Sequence, residues 1–215
     1  MAHPPPGWST DLPSAVRLFP LPGVILLPRA QLPLQIFESR YLSMVRDAMA
    51  GDQLIGIVQP RDGTEPPALY EVGTLGRIAS LSETDDGRLL ILLSGINRFR
   101  LRGEVATAAA WRAGEADYTS FPADRTPPAP LAAAGRADLE STLRGYLAAQ
   151  DLSADWNAIH GADDESLVHS LATVCPFSVA ERQALLESDD LAARAATLAT
   201  LMRFAEPGAG GGFMQ

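Results

Sequence analysis

The sequence predicts an α+β protein: short, mostly antiparallel strands with one inserted helix, followed by a small helical bundle. Three observations predict it. Between residues 17 and 105 the apolar runs are short, and nearly all are closed by proline or glycine, the punctuation of strand ends and tight turns. Asp85-Asp86-Gly87 is a strong hairpin signal, because Asp-Gly supplies the positive φ angles of a tight turn. Beyond Pro122, Pro127, Pro128 and Pro130 the apolar spacing changes to helical, with stripes at three- and four-residue intervals.

The elements follow in order. Residues 1–14 hold four prolines and no periodicity, which predicts a flexible arm. Leu18–Leu21, Val24–Leu27 and Leu32–Phe37 read as three strands. Proline cannot donate to a central ladder, so Pro20, Pro22, Pro28 and Pro33 mark strand ends or edges. From about Ser39, the residues Phe37, Tyr41, Met44, Val45, Ala48 and Met49 form the apolar stripe of a helix ending near Gly51. Leu54–Val58 reads as a buried strand, Arg61–Pro67 as a loop, and Leu69–Val72 and Leu75–Leu81 as strands split by Gly73. Leu89–Leu93 is continuously apolar, the pattern of a strand covered on both faces. Gly95 permits a bulge. From Asn97 to Val105, Asn97, Phe99 and Leu101 share one side, and Arg98, Arg100 and Arg102 the other.

In the second half, Leu139, Leu143, Tyr146 and Leu147 make one helical stripe, and Leu167, Leu171 and Val174 a second, led by Asp163-Asp164-Glu165, whose charge suits a helix N-terminus. Ser178-Val179-Ala180-Glu181 is a capping box. Ser188 is expected to cap a last helix with Leu191, Ala195, Leu198, Met202 and Ala205 on one face. The expected division is an arm at 1–14, a β-rich part at 15–122, a Pro-rich linker at 123–130, a helical part at 131–205 and a Gly-rich flexible tail at 206–215.

Composition excludes several functions. All seventeen basic residues are arginine, so the chain has neither a P-loop lysine nor a Ser–Lys catalytic dyad. The net charge is −9. Residues 1–125 carry 12 Arg and 14 acids, and residues 126–215 carry 5 Arg and 12 acids. Such a chain is a poor partner for a phosphate backbone; only the Arg98, Arg100, Arg102 row speaks for nucleic acid. The single cysteine, Cys175, allows no internal disulfide. No apolar run approaches the roughly 20 residues that span a bilayer, and the N-terminus lacks a secretory pattern. The expected location is the cytoplasm, with no membrane partner.

The irregular motifs carry a resemblance. Leu18-Phe19-Pro20-Leu21, Val24-Ile25-Leu26-Leu27-Pro28 and Leu32-Pro33-Leu34-Gln35-Ile36-Phe37-Glu38-Ser39-Arg40-Tyr41 resemble the opening of the Lon protease N-terminal domain family. Val72-Gly73-Thr74 with Ile78, then Asp86-Gly87, then Gly95-Ile96-Asn97-Arg98-Phe99-Arg100 repeat the resemblance in the expected order, as does Cys175-Pro176-Phe177-Ser178 through Leu185-Leu186-Glu187. Arg29 and Ser39 stand where family members often have glycine and proline. The resemblance spans roughly residues 17–205. It implies a PUA-like pseudo-barrel ahead of the helices, in a member lacking the ATPase and protease parts. It also implies a non-catalytic module that binds unfolded or damaged polypeptide segments, with a protease or chaperone as a further partner. PUA-like folds also include nucleic-acid and small-ligand binders, which is the alternative reading.

Catalytic constellations are not evident. His3, His160 and His169 lack metal-ligand spacing, and no cofactor or metal is expected. Cys175, six residues after His169, reads as a small buried residue rather than a nucleophile. Asp163-Asp164-Glu165 reads as a helix start rather than a cation site. The binding candidates are Phe37, Glu38, Arg40 and Tyr41 at the first helix, and Arg98 and Arg100 on the late strand. For Glu38 a structural role, paired with an arginine at the barrel end, is the favoured reading.

Overall fold

The computed structural model describes residues 12–205. Most of the expected arm and all of the expected Gly-rich tail lie outside the described residues. The last residues of the arm are tied down: the Tyr118 hydroxyl donates to the Pro13 carbonyl at 2.9 Å, and the Ala116 amide to Ser14.

Six strands, β1 (Ala15–Pro20), β2 (Gln31–Ile36), β3 (Leu54–Val58), β4 (Val72–Glu83), β5 (Leu89–Val105) and β6 (Arg112–Asp117), surround one inserted helix, α1 (Ser39–Ala50). The sheet order is β2-β5-β4-β3-β1-β6, and β5 pairs again with β6. The ring β5-β4-β3-β1-β6-β5 therefore closes, and β2 hangs on its outside, bonded to β5 alone. Only β1–β3 is parallel. β5 makes the closure possible. Its first residues pair with β2 and its last with β6, with register shifts at Leu75/Gly76 and Ile78/Ser80 against β4 and at Leu101/Gly103 against β6. Bulges bend a strand and raise its twist, as a closed sheet of this size requires.

The helical part starts with a 3-10 turn at Pro122–Arg125 and continues through α2 (Ala133–Ala149), α3 (Trp156–Gly161), α4 (Asp164–Val174), α5 (Val179–Glu187) and α6 (Leu191–Phe204). Leu139, Leu143, Leu167, Val168, Leu185, Leu198 and Met202 are buried in one cluster, together with Ile25, Leu27 and Val72 from the strand half. A second cluster packs α1, through Tyr41, Met44, Val45 and Ala48, on the sheet. A third surrounds Phe99 inside the ring.

Several expectations change. Val24–Leu27 is not a strand. Gly23 and Arg29 flank it at positive φ, and the segment crosses between cores: Leu26 joins the α1 cluster while Ile25 and Leu27 join the helical one. Gly73 does not split a strand. It lies within β4 because a Cβ there would come 2.6 Å from the Ile57 carbonyl and 2.7 Å from the Phe99 ring. Gly95 does sit at the irregularity: the Arg29 amide donates to its carbonyl and its own amide to Ala30. Leu89–Leu93 is covered on one face only; Leu90 is 43% exposed while Leu89, Ile91 and Leu93 are buried. Phe37 and Met49 lie off the buried stripe of α1, and Val174 is exposed.

The capping box at Ser178 and Glu181 forms. The cap of α6 is Asp190, accepting from the Ala193 amide at 2.8 Å, whereas Ser188 ends α5. α3 begins on an Asp155 cap and rests only Trp156 and Ile159 against the helical cluster, a pair too short to stand out in the periodicity.

Candidate functional site

The candidate residues fall into two separate places. Phe37, Glu38 and Arg40 stand exposed where β2 passes into α1. Glu38 occupies the N-cap position without a side-chain cap bond. Its carboxylate instead takes the Arg40 guanidinium at 2.9 Å, so the exposed pair is local and Glu38 closes no barrel end. The Arg40 guanidinium lies over the Tyr41 ring, 4.7 Å from its centre. Tyr41 itself is core: its ring packs 4.2 Å from Phe19, and burial raises its hydroxyl pKa.

Arg98 lies nine positions along β5 from Leu89, the partner of Ile36, or roughly 30 Å of extended chain. It is 3% exposed. Its guanidinium grips Asp124 at 2.8 Å and donates to the carbonyls of Leu186 at 2.9 Å, Ser188 at 2.6 Å and Asp189 at 3.1 Å, the unpaired acceptors at the end of α5. The Phe121 ring lies 4.4 Å below it. Thus the segment expected as a linker supplies the buried counter-charge that fastens β5 to the helices. Gln59 and Gln183 add a second tie, joined at 3.0 Å, with Gln183 also donating to the Val72 carbonyl.

Arg100 pairs with Glu71 at 3.0 Å and Arg102 with Asp117, whose carboxyl is held well below its usual range by Thr119 first and Arg102 after it. The arginine row therefore offers no open basic stripe.

The sequence reading missed the outer face of the β2–β5–β4 sheet. Opposed residues in a ladder share a face, and two rows cross here: Pro33–Leu92–Ser80 and Gln35–Leu90–Ser82. None of the six is charged, on a chain of net charge −9. Phe37, 64% exposed, continues the outward alternation of β2 after Gln35. The signal was present in Leu89–Leu93, whose unbroken apolarity calls for cover on both faces, but nothing local shows which face stays bare.

The remaining candidates are structural. Burial pushes the Cys175 thiol up to about 11 and pulls His169 down to about 4, assisted by Arg194; a thiol so raised is a poor nucleophile. The acidic triplet is divided. Asp163 caps α4, Asp164 holds Arg136 at 2.8 Å and Glu165 holds Arg29 at 2.6 Å. Among the described residues no group of His, Cys, Asp and Glu is arranged to hold a metal ion, and no helix is long and apolar enough to cross a membrane.

A closed, bulged sheet with one inserted helix, clasped to a helical bundle, is the architecture of Lon N-terminal domains. A Lon N-terminal domain protein from Xanthomonas campestris matches with a TM-score of 0.63 and 26% identity, over 86% of this chain and 97% of that one. The N-terminal domain of a Mycobacterium avium complex Lon protease shares the fold, with a TM-score of 0.63 at 16% identity, over 88% of this chain and 98% of that one. Residues 15–203 match the family described as the ATP-dependent protease La (LON) substrate-binding domain, and the chain belongs to that family. Among full-length relatives, Lon protease 2 of Syntrophobacter fumaroxidans is 28% identical over 182 residues, which is 82% of this chain and 22% of that protein. Lon protease 2 of Myxococcus xanthus is 32% identical over 103 residues, 45% of this chain and 12% of that protein. The chain thus spans less than a quarter of either.

Proposed function

We propose that this chain is a non-catalytic recognition module for unfolded or damaged polypeptide segments, acting in the cytoplasm as an adaptor or regulator in protein quality control. Family membership supports a substrate-recognition role. The observation that carries the reading is the pair of uncharged rows on the outer face of β2–β5–β4, with Phe37 and Leu90 exposed at 64% and 43%; the next row brings in Arg77 beside Ser94. A surface patch of apolar groups is a mark of interaction, and rows without charge suit segments released from a core, whatever their net charge.

The test is binding of a permanently unfolded protein, reduced and carboxymethylated α-lactalbumin, followed by fluorescence anisotropy beside its native form. The unfolded form binds and the native form does not. The double variant Phe37→Ser, Leu90→Ser binds at least about tenfold more weakly, a change of ~1.4 kcal/mol. Because the two rows are uncharged, raising the salt leaves the affinity nearly unchanged. Equal binding by the double variant, or a steep loss with salt, would count against this surface.

A further inference from the structure

We propose that the bare edge of β2 takes up an extended polypeptide as an added strand, so that backbone hydrogen bonds, and not side-chain contacts alone, hold the ligand. This rests on the polypeptide-recognition reading and adds its mode. The ring β5-β4-β3-β1-β6-β5 pairs its strands on both sides except where one runs past its partner, as β4 does beyond Ile78, and β2 bonds only to β5. Among the described strands, β2 is therefore the one open along its whole length.

Pro33 sets the phase of that side. A proline has no N–H, so it is tolerated in a strand where that N–H would point away from the ladder. Leu32, Leu34 and Ile36 then turn their backbone groups to β5, while Gln31, Pro33 and Gln35 turn theirs outward. The donation of the Gly95 amide to the Ala30 carbonyl at 2.9 Å fits this phase, since Ala30 is two residues before Leu32. Gln31, Pro33 and Gln35 are all exposed, and no hydrogen bond from another described loop or turn reaches their backbone.

The open edge thus offers two donors, at Gln31 and Gln35, and three acceptors, at Gln31, Pro33 and Gln35. A folded protein has its own strands paired; an unfolded chain has free backbone groups along its whole length and is the matching occupant. Its alternate side chains fall beside half-buried Leu34 on the core side and beside Pro33 and Phe37 on the uncharged outer side. Pro33 also removes the middle donor of the edge. That keeps the pairing short and reversible and discourages two copies of the chain from zipping edge to edge.

Two substitutions test the mode against the unfolded α-lactalbumin probe. Gln35→Pro removes an outward donor in a strand that already accepts a proline two residues earlier; it weakens binding about three- to tenfold, the worth of one hydrogen bond. Pro33→Val supplies the missing donor and tightens binding by a similar factor, a gain that misfolding does not imitate. Thermal melting confirms that both variants fold, and if Gln35→Pro does not, Pro33→Val alone decides. If neither changes the affinity while Phe37→Ser, Leu90→Ser abolishes it, strand addition is overturned and polypeptide recognition stands. If the wild-type chain binds no unfolded protein, both fall. If the substitutions alter self-association in sedimentation and leave probe binding unchanged, the occupant is a second copy and the proposal is again overturned.

Discussion

The two halves of β5 have opposite covers and opposite chemistry. Its first half turns Leu90 and Leu92 to an outer face on which no helix sits. Its second half turns Arg98 toward the helices, where it is almost wholly buried. Hydropathy assigns these positions the other way round: leucines inside, arginine in water. The difference lies in what the rest of the chain brings to each half. Asp124 and the carbonyl ends of α5 meet Arg98, and a guanidinium with five donors can satisfy a carboxylate and several carbonyls together. No described element comes over Leu90. The covered half holds the molecule together, and the bare half is free to meet another chain.

The sharpest way to break this contrast is Asp124→Ala. It leaves Arg98 buried without its counter-charge and costs about 3–5 kcal/mol, readable as a shift of the urea midpoint. Arg98→Lys does not restore the clasp, because an ammonium cannot span Asp124 and three carbonyls.

A second effect is pH-dependent. His169 lies near Glu165, Arg29, Asp163 and Arg194, and its folded-state value of about 4 is below the ordinary 6.5. The unfolded chain therefore binds the proton first as pH falls. Stability declines from pH ~6.5 to pH ~4 and levels off below, by up to about 3 kcal/mol from this group. His169→Gln flattens that part of the profile when the two proteins are compared by denaturation across the range. An unchanged slope would mean that His169 binds its proton as readily in the folded chain as in the unfolded one.

The smallest effect belongs to the bare half. Leu90→Ser changes stability by no more than about 0.5 kcal/mol while it weakens polypeptide binding. A loss of several kcal/mol would show that this face is covered after all.

Local chemistry made much of the fold legible. The α1 stripe, the Asp86-Gly87 turn with Gly87 at φ +78 and the Ser178–Glu181 box each depend on neighbours within a few residues. What stayed hidden depends on distant partners. Val24–Leu27 has the apolarity of a strand, yet its residues are divided between two cores. Arg98 looks like its neighbours Arg100 and Arg102 until Asp124 and the end of α5 are in place. α3 forms on a cap with only Trp156 and Ile159 to face the core. Of the site, Phe37 was legible as a candidate but was assigned to the helix; Leu90, Leu92 and Pro33 become a surface only when β2, β5 and β4 lie side by side.

The interior arginines have a practical consequence for labelling. Arg182 donates to the carbonyls of Ala172, Thr173, Cys175 and Phe177, and Arg194 to those of Leu185 and Ser188, so both, like Arg98, must remain guanidinium. Arg46 is different: its side chain is 63% exposed and reaches Glu83 only at 3.8 Å. In a chain without lysine, Arg46→Lys would install a single side-chain amine on the outer surface of α1. One fluorophore or crosslinker attached there would mark a known position on the helix-covered side of the sheet, opposite the bare face, and each crosslink would report whether a bound chain wraps round to that side.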